Sequence, residues 1–200
     1  MKLIILIILL IVLLGGLYWY NYNKMTFIQS PIDNHYYMVR DLPDKYVAVN
    51  LLATLRTNAI NLITHLNSKK DSEYKEYKEY IEQLSDRMKD VTISETKGNE
   101  PTDKNIENVT SYSVNKGEEL VICLRSKKDW NKFHKLNILM YVMLHEISHI
   151  ACPVYGHGPL YKKIFAFITT TAMNLKSYEY TNYAANPEEY CGIMLTDSIV

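Results

Sequence analysis

Apolar side chains fill almost all of the first 20 residues, whereas polar and apolar positions alternate more regularly in the rest of the chain. The stretch over residues 3–19 carries no charge, and its 17 residues lie at the short end of the length of a membrane-spanning helix. The pattern predicts a transmembrane anchor over residues 1–23 that contacts the membrane through residues 3–19, with a cleaved signal peptide as the alternative. One extra positive charge before the stretch slightly favours a single-pass protein with a cytoplasmic amino terminus.

Two helices are predicted after this stretch, because apolar residues recur there every three to four positions. The first begins after a cap at Asp44 and ends near Leu66, and the second covers about residues 72–90. Residues 21–43 lack such a period and are predicted to be a linker or a peripheral wrap. Residues 24–90 therefore form the linker and the helical N-terminal part of the predicted domain.

The hydrophobic period changes to two at residues 91–94, which predicts a short strand. Residues 110–114 and 119–125 flank Asn115-Lys116-Gly117, a turn sequence typical of a β-hairpin. The continuous apolar run over residues 121–124 indicates a buried strand. It lies either inside the sheet or near an edge, where an extended peptide could pair with it. The sequence predicts an α+β fold with a small antiparallel sheet, and a core domain over residues 91–200.

Charge and cysteine content narrow the possible functions. Lys and Arg together number 22, as do Asp and Glu, so the formal net charge is zero. Because no global positive field or dense basic stretch exists, nucleic acid is not an expected partner. The three cysteines, Cys123, Cys152 and Cys191, are too scattered for a disulfide scaffold and are expected to be buried thiols. A single disulfide remains possible if the domain is lumenal.

The candidate chemistry lies in His145-Glu146-Ile147-Ser148-His149, which follows a run that is apolar at every position from 138 to 144. Such a run predicts a helix that is buried on all sides. Histidines four residues apart project from one face of a helix, so both imidazoles can reach a single metal ion. Zinc suits imidazole ligands, and the adjacent Glu146 can act as general base towards a zinc-activated water.

A third ligand is required, and His157 is the leading candidate. Pro153 ends the helix, Gly156 allows the chain to turn, and Pro159 can begin the next helix. A loop between two helices would then direct His157 towards the metal. Three carboxylates are the alternative third ligands: Glu179, Glu188 and Glu189.

The two motifs resemble the core of the SprT-like and WLM families of zinc metallopeptidases, which have compact, minigluzincin-like folds. The resemblance rests on His145 to His149 followed by Gly156-His157-Gly158-Pro159-Leu160-Tyr161, and covers about residues 91–175. It implies that His157 is the third zinc ligand and that Tyr161 packs beneath the site. The apolar amino terminus and the tail over residues 187–192 are similar to membrane-anchored proteases of large DNA viruses.

Together these features predict a membrane-anchored zinc metalloprotease that holds one Zn²⁺ per chain and cleaves peptide bonds in proteins. The metal ligands are His145, His149 and His157, and Glu146 is the catalytic residue. A catalytically inactive membrane-tethered scaffold and a SprT-type DNA–protein crosslink protease are the alternatives, and the oligomeric state stays open. Four tyrosines are candidates to stabilise the oxyanion: Tyr155, Tyr180, Tyr183 and Tyr190.

Overall fold

Helix α1 (Lys2–Tyr22) opens the chain in a computed structural model that describes residues 2–22, 24–97, 110–129 and 132–200. Within these ranges no helix combines the length and the hydropathy that a membrane crossing requires. The predicted single-pass membrane localisation is therefore wrong, and the structure gives no support to an anchor over residues 1–23 or to membrane contact through residues 3–19. The uncharged run of 17 residues rises about 25 Å as a helix, at about 1.5 Å per residue, against about 30 Å of hydrocarbon.

A five-stranded sheet follows, built from β1 (Met25–Gln29), β2 (Tyr36–Arg40), β3 (Thr92–Glu95), β4 (Tyr112–Val114) and β5 (Glu119–Ile122). The strand order is β1-β2-β3-β5-β4. The β1–β2 and β4–β5 pairs are antiparallel, whereas the β2–β3 and β3–β5 pairs are parallel. The sheet is thus mixed rather than antiparallel, because helices connect β2 to β3 and return the chain in the same direction.

The β1–β2 hairpin occupies the segment that was predicted to be a linker or a peripheral wrap. Its turn is stabilised by a backbone hydrogen bond from Ser30 to His35 and by Asn34, which adopts a positive φ of 60°. Asn tolerates this conformation better than most residues. The prediction of a linker failed because two short strands with exposed faces carry little hydrophobic signal.

The predicted helices are present. Helix α2 begins directly after Asp44 and ends three residues beyond the predicted Leu66. The second predicted helix is divided into a 3₁₀ turn (Lys75–Tyr77) and a shorter α-helix. The α-helices that follow α1 are α2 (Lys45–Lys69), α3 (Lys78–Arg87), α4 (Leu136–Ala151) and α5 (Pro159–Asn174).

Helix α4 lies at the centre of the domain. All its residues from 138 to 144 are buried, which confirms the prediction of a helix buried on all sides. It packs against α2, α3 and α5 and against strands β4 and β5. The side chains that precede the His-Glu pair are therefore fixed from every direction, which is what a precisely placed site requires.

The β4–β5 hairpin turns through Asn115, Lys116 and Gly117, as predicted. All three residues have positive φ, at 45°, 53° and 120°. A Cβ atom on Gly117 would lie 3.1 Å from the Cβ of Arg87, so glycine also permits the close approach of this turn to α3.

A third hairpin, formed by β6 (Glu188–Tyr190) and β7 (Ile193–Leu195), follows α5. A disulfide joins Cys191 in its turn to Cys123, the residue that follows β5. Cys152 stays a buried free thiol, as predicted. The expectation of a thiol was wrong for the other two cysteines, because the hairpin turn brings them to a Cα–Cα distance of 6.1 Å, within bonding range.

Candidate metal centre

The last turns of α4 carry His145 and His149 on one face. The helix ends where Cys152 becomes extended, directly before Pro153. Its final carbonyl oxygens accept hydrogen bonds from the Gln83 side chain, whose amide nitrogen lies 2.8 Å from the oxygen of Ile150. A side chain of α3 thus supplies hydrogen bonds to the carbonyl groups at the end of the helix that bears the histidines.

The loop between α4 and α5 carries His157. Gly156 has a φ of 82°, and Pro159 occupies the first turn of α5. The Nζ atom of Lys116 donates to the carbonyl oxygens of Cys152 and Pro153, at 2.9 and 2.8 Å. The turn of the β4–β5 hairpin therefore ties down the start of the loop that positions His157.

The Nε2 atoms of the three histidines converge on one point. They lie 3.1 Å apart between His145 and His149, 3.0 Å between His149 and His157, and 3.2 Å between His157 and His145. An imidazole nitrogen either carries a proton or offers a lone pair. Hydrogen bonds therefore cannot satisfy all three contacts. Among three nitrogens, at least two must both carry a proton or must both offer a lone pair, and such a pair cannot form a hydrogen bond.

A metal ion satisfies this arrangement. Nitrogen ligands about 2.0–2.1 Å from a tetrahedral zinc ion are about 3.3 Å apart, close to the 3.0–3.2 Å spacing of the Nε2 atoms. These three side chains also form the group of potential metal ligands found within the described ranges. The donor set thus fits a zinc ion with one position left open for another ligand.

The side chain of Tyr161 packs against all three imidazoles. Its ring stacks on His149 at 4.2 Å between centroids and meets the edges of the other two at 5.4 and 4.9 Å. Its hydroxyl donates to the backbone oxygen of His145 at 3.2 Å. Tyr161 is itself buried, so it fixes the orientation of the histidine rings.

Burial also sets the charge of the site. It lowers the pKa of His145 to about 3 and that of His149 to about 4, with further lowering from neighbouring histidines. Both imidazoles are therefore neutral at pH 7 and keep lone pairs for a metal. Burial raises the pKa of Glu146 to about 7, so a bound cation would favour its ionised form.

An open cleft of about 440 Å³ leads to the histidines and to Glu146. One side is the segment that contains strand β4, and no other described strand pairs with the outer edge of β4. The apolar run over residues 121–124 overlaps β5, which lies inside the sheet between β3 and β4. The lining comprises residues 110–113, Tyr141, Val142, His145, Glu146, His149, His157, Tyr190, Ile193 and Leu195.

The other candidate residues lie in different places. Among the four tyrosines, Tyr190 lines the cleft, and its hydroxyl lies 2.5 Å from that of Ser111. Tyr155 is 86% exposed and its ring packs under Lys116.

The alternative carboxylate ligands have other partners. Glu188 forms an ion pair with Lys135 at 2.9 Å, and Glu189 accepts a hydrogen bond from Ser126 at 2.8 Å. The backbone of Glu179 is hydrogen-bonded to the Asn137 side chain. Within the described residues, none of the three carboxylates belongs to the histidine group.

Sequence reasoning missed the wall of the cleft that the β6–β7 hairpin provides. Its signal is the short apolar run Ile193-Met194-Leu195, directly after a Gly192 that has a φ of 88°. A strand of three residues is too short to stand out from a terminal tail.

The fold and site define an α+β protein with a three-histidine centre beside a buried glutamate. The chain belongs to the same family as uncharacterized protein R325 of Acanthamoeba polyphaga mimivirus, with 36% identity over 180 residues that cover 89% of this chain and 86% of that protein. Uncharacterized protein 136R of Invertebrate iridescent virus 6 is 32% identical over 72 residues, or 36% of this chain and 40% of that protein. Both relatives are viral, in agreement with the predicted similarity to viral proteins.

No profile of a known protein family matches the chain, so membership of the SprT-like or WLM families stays a prediction. Among solved structures, Wss1 from Saccharomyces cerevisiae superimposes with a TM-score of 0.43 at 19% identity, covering 69% of this chain and 87% of Wss1. A Wss1 mutant gives a TM-score of 0.42 at 17% identity, with coverages of 74% and 96%.

Proposed function

We propose that this protein is a zinc-dependent peptidase in which His145, His149 and His157 hold one zinc ion and Glu146 is the general base. The observation that carries the proposal is the convergence of three Nε2 atoms at 3.0–3.2 Å. Neutral imidazoles at that spacing have no complete hydrogen-bonding solution, whereas a zinc ion accepts all three lone pairs. Zinc supplies Lewis-acid chemistry when bound, polarising a carbonyl group and lowering the pKa of water.

The role of Glu146 follows from its position. It neighbours His145 on α4, lines the cleft and is only 6% exposed. Its carboxyl group, which a bound zinc ion would keep ionised, can accept a proton from the attacking water and return that proton to the leaving amine. The carboxyl group is thus suited to both proton transfers of amide hydrolysis.

The form of the cleft favours an extended peptide as the substrate. The outer edge of β4 presents backbone donors and acceptors alongside the histidines, and an added strand can pair with such an edge. A peptide held in this way would pass its backbone carbonyl groups across the centre. The apolar stretch over residues 121–124 takes no part in this pairing, because β5 is already paired on both sides.

The first test is the zinc content of the purified full-length chain, measured by elemental analysis. We expect one zinc per chain in the wild type, a loss in His157→Ala, and no change in His35→Ala. His35 is a suitable control because its half-exposed side chain contacts Asp33 in the β1–β2 turn, at the opposite end of the sheet from β4. Equal zinc in both variants would remove His157 from the ligand set, and a folded wild type without zinc after reconstitution would refute the proposal.

The second test separates metal binding from turnover. Glu146→Gln keeps the size of the side chain but cannot act as a base, so we expect full zinc content and a loss of at least about 100-fold in peptide cleavage. Cleavage would be measured on a mixture of unfolded proteins by mass spectrometry of the new termini. Unchanged cleavage in Glu146→Gln would show that another group, or a contaminating protease, carries the activity.

A further inference from the structure

The β6–β7 hairpin shapes one side of the cleft through alternate residues of β7. Ile193 and Leu195 are partly buried and line the cleft, whereas Met194 between them points outward and is 47% exposed. Successive side chains of a strand face opposite sides, so one face of this short strand is directed into the cleft.

This part of the cleft is apolar. The two β7 side chains line the same cleft as Tyr141 and Val142 of α4. Among the lining residues that the structure describes there is no lysine or arginine, and Glu146 is the one carboxylate. A charged side chain placed against the apolar β7 side chains would lose hydration there, whereas an apolar side chain would gain from leaving water.

The apolar wall is held rigidly in place. The disulfide from Cys191 to Cys123 attaches the turn of the hairpin to the end of β5. The Tyr190 hydroxyl lies 2.5 Å from the hydroxyl oxygen of Ser111, which also accepts a hydrogen bond from the backbone of Cys123 at 2.9 Å. These links fix the turn of the hairpin and the end of β6 against the end of β5, and preorganisation of this kind reduces the entropic cost of binding.

We propose that Ile193 and Leu195, together with Val142, form a subsite that selects peptides with an apolar side chain next to the bond that is cleaved. The subsite is continuous with the three histidines and with Glu146 in a single cleft. An extended peptide along β4 would direct alternate side chains towards this wall. This inference rests on the proposed peptidase function and specifies its substrate class.

The test is a binding experiment that does not depend on turnover. Full-length Glu146→Gln protein, reconstituted with zinc and immobilised, would be incubated with a random decapeptide library, and retained peptides would be sequenced by mass spectrometry. We expect leucine-like residues to be enriched about tenfold or more over lysine and glutamate at one position, the discrimination expected from burial of one such side chain.

Two further substitutions locate the subsite on β7. Ile193→Glu places a charge inside the cleft, so the apolar enrichment should fall about tenfold and lysine and arginine should become favoured. Met194→Glu makes the same change on the outer face of the same strand and should leave the enrichment unaltered. If circular dichroism shows that Ile193→Glu does not fold, Leu195→Ser provides a milder substitution, which should also lower the enrichment of apolar residues.

The outcomes separate the subsite from the chemistry. Retention of no peptides, retention without apolar preference, or equal effects of the two glutamate substitutions would overturn the subsite. Enriched peptides that bind Glu146→Gln but stay intact with zinc-loaded wild-type protein would instead refute the peptidase function, and would leave the apolar subsite as a peptide-binding site.

Discussion

The disulfide between Cys123 and Cys191 is expected to be a major source of stability for this domain. It closes a loop whose ends are 68 residues apart in sequence. Cross-linking a loop of that length removes about 15 cal/mol/K of entropy from the unfolded chain, or about 4 kcal/mol of unfolding free energy at 25 °C. We therefore predict that the double variant Cys123→Ala/Cys191→Ala loses about 4 kcal/mol.

Urea unfolding followed by circular dichroism measures this loss. With a slope of about 2 kcal/mol/M, the midpoint of the double variant should lie about 2 M below that of the oxidised wild type. Cys152→Ala is the matched control, because Cys152 is a buried free thiol and its removal leaves the cross-link intact. Its midpoint should change little and should stay sensitive to reductant.

Two results would refute this reasoning. A thiol titration that finds three free cysteines in non-reduced protein would contradict the disulfide itself. Coincident midpoints for the oxidised wild type and the double variant would show that the cross-link does not restrict the unfolded chain as the loop length implies.

Two further predictions concern pH and the support of the metal centre. Two hydrogen bonds from Arg125, at 2.7 and 2.8 Å, hold the pKa of Asp44 below its usual value. Ionised Asp44 therefore stabilises the fold at neutral pH, and this stabilisation is lost as the pH falls through the lowered pKa. Asp44→Asn should therefore lower the free energy of unfolding at pH 7, by only about 1 kcal/mol because the carboxylate is partly exposed. Thermal melts of the two proteins should show that this difference vanishes in acid. A difference that persists in acid would contradict the ion-pair explanation. Tyr161→Ala should cost about 3 kcal/mol by leaving a cavity beneath the imidazoles, and chelator competition should show weaker zinc binding. Tyr161→Phe, which loses one hydrogen bond worth about 1 kcal/mol, should retain zinc, and equal zinc affinity in all three proteins would show that the ring does not orient the ligands.

The sequence predicted the elements around the histidines well because their causes are local. The apolar run from 138 to 144 and the helix-ending Pro153 define α4, and Pro159 marks the start of α5. Helical periodicity places His145 and His149 on one face, and the loop before Pro159 needs only a few residues to carry His157 back to them. Convergence of the three nitrogens was therefore predictable without knowledge of the sheet.

The features that the sequence did not reveal join distant parts of the chain. The parallel pairing of Met38 with Ser94 and the bond between Cys123 and Cys191 depend on how the helices return the chain, which no local pattern records. The β1–β2 hairpin was missed because its strands are short and partly exposed. The membrane localisation was wrong because an uncharged run of 17 residues, at the short end of a membrane-spanning length, was taken to imply a membrane crossing.

The shortness of β4 has a consequence for how the protein behaves in concentrated solution. A free strand edge is a template for pairing between copies of a protein, and long edges of this kind promote aggregation. Strand β4 has only three residues, and it lines the same cleft as the β6–β7 hairpin. A strand of this length can form only a few backbone hydrogen bonds along its outer edge. It offers too little length for stacked copies to build an extended sheet.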